Sequence, residues 1–93
     1  MSELEQYRQE IDAIDQDLTR LFEARLKTVL KVGEYKIQHD LPVLDASREQ
    51  KVIEKNVGRL EDKQFEEELT KFFQSMMDIT KETQTKMMDK KGN

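Results

Sequence analysis

The chain has no cysteine, no tryptophan, one proline, three glycines and one histidine among its 93 residues. Without cysteine there can be no disulfide and no thiolate metal site, which suits a reducing compartment. The five methionines fall mostly at helical spacing in the last third of the chain and read as core filler rather than as metal ligands. No apolar run is long enough to cross a bilayer and no signal-peptide core is present, so a cytoplasmic location is expected. Excess positive charge is also lacking. Sixteen Lys and Arg face twenty Asp and Glu, a net charge of −4. That balance argues against general nucleic-acid binding, which needs a positive field. An anionic ligand would have to be held by a local cluster of Arg and Lys. Hydrophobic residues are 35% of the chain against 39% charged, so residues 1–93 are expected to form one small domain with a limited core.

What is present is helical periodicity, with no segment of alternating strand pattern. Leu4, Tyr7, Ile11, Ile14, Leu18 and Leu21 follow one another in steps of three and four, and the series resumes at Val29 and Val32. Ser2 followed by Glu5 is a capping-box pattern, and Pro42 forces an end shortly before it. A helix over about 2–39 results, roughly 55 Å long, in a chain whose compact size would be only about 25 Å across. Much of such a helix must find cover outside its own subunit, either as a coiled-coil pair or in another helical homodimer. A second helix is expected over about 46–60, capped by Asp45, and a third over about 63–90. The fold expected is all-α, with three helices per chain and one of them very long.

Polar residues stand where these stripes call for apolar ones. Arg25 takes the step after Leu21, Lys36 follows on the same face, Glu49 extends the stripe of Val52, Ile53 and Val57 backwards, and Thr80 and Gln84 interrupt that of the third helix. Burying a polar group without a partner costs roughly 2–7 kcal/mol. One reading is a buried ion-pair network that fixes helix register. The other is a ligand site. Arg25 and Lys36 share a face about 16 Å apart, with Val29 and Val32 as an apolar floor between them, and Gly33 admits either another helix or a ligand. His39, near the end of the first helix, reads as a loop residue rather than a catalytic one.

The segments "YRQEIDAIDQDLTRLFEARLKTVLKVGEYK" and "PVLDASREQKVIE", followed by a helix with Thr80 and Gln84, resemble the all-helical (AroQ-type) chorismate mutases over about residues 4–84. The ordered set of R-x-x-I-x-x-x-D, K-V-G-x-x-K and D-x-x-R-E carries the resemblance. It implies an intertwined homodimer that rearranges chorismate to prephenate without cofactor or metal, in phenylalanine and tyrosine biosynthesis. Carried over by position, Arg25 would bind one substrate carboxylate and Arg8, from the partner subunit, the other. Lys36 and Gln84 would donate to the ether oxygen, and Lys36 also to a carboxylate. Glu49 would accept from the ring hydroxyl with help from the backbone near Asp45. Arg48 would add positive potential, and Thr80 could bond a carboxylate. An isochorismate-pyruvate lyase and a non-catalytic helical dimerisation or regulatory module are the alternatives. Helical geometry bears on Arg8 independently. It is seventeen residues from Arg25, about 25 Å along one helix and roughly 100° around it, too far for one small molecule to touch both in one chain.

Overall fold

The computed structural model describes residues 2–91, so Met1, Gly92 and Asn93 of the expected domain lie outside the described residues. The described residues form three α-helices: α1 (Glu3–Gln38), α2 (Ala46–Gly58) and α3 (Glu66–Lys91), the last preceded by a 3₁₀ turn at Lys63–Phe65. No strand occurs among the described residues.

Local chemistry sets the ends of these elements. Ser2 is extended, and its hydroxyl accepts from the Glu5 backbone N–H at 3.2 Å, while Glu3 and Glu5 complement the positive end of the helix. At the other end, Asp40 takes φ 55°, in the left-handed region. Its N–H bonds to the Ile37 carbonyl at 3.3 Å, and the Leu41 N–H to that of Lys36 at 2.8 Å. This pair of bonds is a Schellman closure, and Pro42 follows where the helix can no longer continue. Asp45 caps α2 by accepting from the Arg48 N–H at 3.2 Å. The sequence pattern places one helix from about residue 63, but Asp62 first accepts from the Gln64 N–H at 3.1 Å and closes a 3₁₀ turn. The α-helical run starts at Glu66.

The molecule is 55 × 26 × 15 Å with a radius of gyration of 16.8 Å, against roughly 12 Å for a compact chain of this length. The excess comes from α1. Helix α3 packs against both α1 and α2, whereas no backbone approach joins α1 to α2. The core lies between α2 and α3: Ile53, Met76 and Met77 are buried, with Val52, Val57 and Phe73 packed against them. On α1 the close approach of α3 is made at Gly33, where an added Cβ would stand 2.5 Å from the Met87 Cε. Glycine there serves helix packing.

Two features follow from α3 covering only the C-terminal part of α1. The seam of Leu4, Tyr7, Ile11, Ile14, Leu18 and Leu21 is between 48% and 58% exposed throughout. Where that seam meets α3, an apolar groove of about 510 Å³ opens between Leu18, Leu21 and Phe22 on one side and Phe72, Met76 and Ile79 on the other.

Candidate active site

A second cavity, of about 260 Å³, meets this groove at Arg25 and is lined by all three helices and the α1–α2 loop. Helix α1 contributes Arg25, Val29, Val32 and Lys36, one residue per turn along a single face. The loop contributes Val43, Leu44 and Asp45, and the first turns of α2 add Arg48, Glu49 and Val52. Helix α3 closes the cavity with Met77, Thr80, Lys81 and Gln84. Seven of the eight site residues expected from the sequence therefore meet in one place: Arg25, Lys36, Asp45, Arg48, Glu49, Thr80 and Gln84. Arg8 is exposed on the first turns of α1 and does not line the cavity. Its neighbour at i+4, Asp12, accepts from Gln16 at 3.0 Å.

Most of the polar side chains are held by a neighbour. The Arg25 guanidinium donates to the Thr80 hydroxyl at 3.2 Å, tying α1 to α3. Burial, and then the positive charge of Arg48, pushes Arg25 below its ordinary value, though a guanidinium remains charged at any working pH. Gln84 is only 7% exposed. Its Nε2 donates to the Val29 carbonyl at 3.3 Å, across the same helix pair. Lys36 reaches the other way, from Nζ to the Val43 carbonyl at 3.4 Å, and steadies the loop. Asp45 accepts from the Ser47 hydroxyl at 2.9 Å as well as from the Arg48 N–H, and these bonds hold its carboxyl below the usual carboxylate range.

The charge pattern is lopsided. Arg25, Lys36, Arg48 and Lys81 face the cavity against the two carboxylates of Asp45 and Glu49. A local excess of cations inside a chain of net charge −4 suits a small, multiply charged anion. Val29, Val32, Val52 and Met77 supply an apolar wall. The donors are Arg, Lys and an amide, which can clamp carboxylates and place hydrogen bonds on a developing oxyanion. Among the described residues no group of three or more His, Cys, Asp or Glu is placed to hold a metal ion.

Lys81 was not among the residues expected from the sequence. Its Nζ stands 3.5 Å from Glu49 Oε1 and 3.6 Å from Asp78 Oδ1. A signal for it did exist. A carboxylate on a half-buried stripe needs a cation, and Lys81 lies beside Thr80 and one turn before Gln84 on the face already marked as polar.

Comparison with known proteins identifies this arrangement. The profile of the family described as chorismate mutase type II matches residues 7–85. The chain belongs to that family. A bifunctional chorismate mutase/prephenate dehydratase of Buchnera aphidicola subsp. Schizaphis graminum is 32% identical over 91 residues, 96% of this chain and 23% of that protein. One of the same description from Aquifex aeolicus is 40% identical over 55 residues, 59% of this chain and 15% of that protein. The T-protein of Haemophilus influenzae is 45% identical over 49 residues, 53% of this chain and 13% of that protein. The chain thus spans less than a quarter of the length of these curated relatives. No solved structure matches significantly. The family assignment agrees with the resemblance read from the motifs and with an all-helical chain carrying one long helix. No helix among the described residues is long and apolar enough to cross a membrane.

Proposed function

We propose that this chorismate mutase family chain rearranges chorismate to prephenate, a step toward phenylalanine and tyrosine, in a cavity completed by a second copy of itself. The observation that carries the reading is the convergence of Arg25, Lys36, Glu49, Thr80 and Gln84 from three helices on one cavity with excess positive charge. The rearrangement is unimolecular. A C–O ether bond breaks as a C–C bond forms, so no nucleophile or base is needed. What is needed is a compact, near-attack shape and stabilisation of charge on the ether oxygen.

Arg25 clamps one carboxylate of the substrate with its planar fork. Lys36 and Gln84 turn from the Val43 and Val29 carbonyls that they bond to donate to the ether oxygen, Lys36 also reaching a carboxylate. Glu49 accepts from the ring hydroxyl, Thr80 supports a carboxylate, and Arg48 and the Asp45 turn line the entrance. The second carboxylate falls to Arg8 of the partner subunit. The supporting observations are the open apolar seam of α1 and the groove beside it, which end at Arg25. Pairing two copies along that seam covers both and brings the first turns of one α1 to the other copy's cavity. A cytoplasmic setting is part of the same reading; no helix among the described residues is long and apolar enough to cross a membrane. An amide donor does not titrate, so turnover is expected to hold from neutral to mildly alkaline pH.

The test is to incubate the chain with chorismate and, separately, with isochorismate, and to measure prephenate and pyruvate. Prephenate from chorismate supports the proposal. Pyruvate from isochorismate alone would make the chain a lyase, and no turnover with either would leave a binding module.

A further inference from the structure

We propose that Lys81 is a positioning residue for Glu49: its ammonium fixes the Glu49 carboxylate at the cavity wall, so that it can accept the ring hydroxyl. The inference rests on the mutase reading above and adds a part to it. The geometry is a relay across two helices. The Gln74 amide donates to Asp78 Oδ1 at 3.3 Å, the same oxygen lies 3.6 Å from Lys81 Nζ, and that nitrogen lies 3.5 Å from Glu49 Oε1. Asp78 stands one turn before Lys81 and outside the cavity, so it restrains the long lysine side chain from behind.

Glu49 depends on this contact. Its side chain is 22% exposed, so solvent screens it only in part. The other charged groups facing the cavity are Arg25 and Lys36 from α1 and Asp45 and Arg48 from the first turn of α2. Arg25 is hydrogen-bonded to Thr80 and Lys36 to the Val43 carbonyl. Lys81 is the cation that the structure pairs with Glu49. Substrate binding would draw Arg25 and Lys36 further onto its carboxylates. Lys81, held by Asp78 and Glu49, stays in place and keeps the Glu49 carboxylate at the cavity wall.

The experiment compares the full chain with Lys81→Gln and Lys81→Arg by two readouts. The first is the order of the Glu49 side chain by NMR relaxation at neutral pH, and needs no turnover. Glu49 should be more mobile in Lys81→Gln than in wild type and regain its order in Lys81→Arg. The second is kcat/KM for chorismate. It should fall about 10-fold in Lys81→Gln and return in Lys81→Arg, with little change in melting temperature, and Lys81→Gln should cost nothing further in a Glu49→Gln background, because the lysine acts through Glu49. A purely structural lysine would lower stability and leave Glu49 ordered. Equal Glu49 order in wild type and Lys81→Gln would overturn the proposal. So would a loss on Lys81→Gln that is as large with Gln at position 49 as with Glu. A wild type without any turnover would defeat the mutase reading, and the NMR relaxation would still decide whether Lys81 positions Glu49.

Discussion

From Leu4 to Leu21 the seam of α1 is apolar and stands about half exposed, while from Arg25 to Lys36 the same register carries a charge at each end and lines the cavity, with Arg25, Val29 and Lys36 half-buried and Val32 44% exposed. One helix thus has two surroundings, and its residues follow the inverse of the usual pattern. The part against its own chain is charged at both ends, with Val29 and Val32 between. The part without such cover is oily. Apolar side chains at 48–58% exposure along six consecutive seam positions are costly for a free monomer, and the proposed second copy would cover them. Charges on the covered half are explained by a ligand of opposite sign. The boundary lies at Arg25, which borders both the cavity and the apolar groove.

Changes in the covered half should remove chemistry and spare assembly, and they carry the largest expected effect. Lys36→Ala and Gln84→Ala should each lower kcat by about 100-fold or more, the scale of losing one donor to a developing oxyanion. Chorismate consumption measured by absorbance checks this, alongside circular dichroism and sedimentation showing wild-type helicity and mass. Loss of assembly in either variant would break the division between the halves. Changes in the open half should do the reverse. Leu18→Asp places a carboxylate on the seam, and burying it would cost roughly 2 kcal/mol or more per copy. Sedimentation velocity should then show monomer where the wild type sediments as dimer. A wild-type profile for Leu18→Asp would mean that the seam is not an interface.

Much of this was legible in the sequence, because both halves write a 3.6-residue period. Arg25 is conspicuous only against the regular spacing from Leu4 to Leu21, and Thr80 and Gln84 only against their methionine and phenylalanine neighbours. The capping roles of Ser2 and Asp45 follow from local rules and are found in the structure. What periodicity could not supply is which helix packs on which. That α3 touches both others while α1 and α2 stand apart depends on the 3₁₀ turn and on Gly33 opposite Met87. Lys81 was missed for a related reason. Its importance lies in a contact with another helix, and a lysine on a helix surface otherwise looks like solvated charge. Arg8 differs again: the geometry of one chain places it away from the cavity, and its proposed role relies on a second copy.

Smaller effects sharpen the picture at the junction between α1 and α2. Asp40 holds a left-handed conformation, and Asp40→Gly should stabilise the fold by about 0.5–1 kcal/mol, read by thermal unfolding, without altering kcat. Smaller still is an effect of acid. Asp45 and Asp62 both have carboxyls depressed by hydrogen bonds they accept. Their stabilisation is complete above the unfolded carboxylate range, near pH 4, and is lost as pH falls through the depressed values. Melting temperature should therefore fall in that window, and less steeply in Asp45→Asn.

The central claim is that the open half of one α1 completes the cavity on the covered half of another. Subunit complementation tests it most directly. Arg8→Ala and Arg25→Ala should each be nearly inactive alone. When the two are mixed, unfolded and refolded together, half of the dimers are mixed, and each mixed dimer has one site with both arginines and one with neither. The mixture should regain roughly a quarter of wild-type activity, as a symmetric two-fold interface requires. A mixture that stays as inactive as its parents would contradict the account.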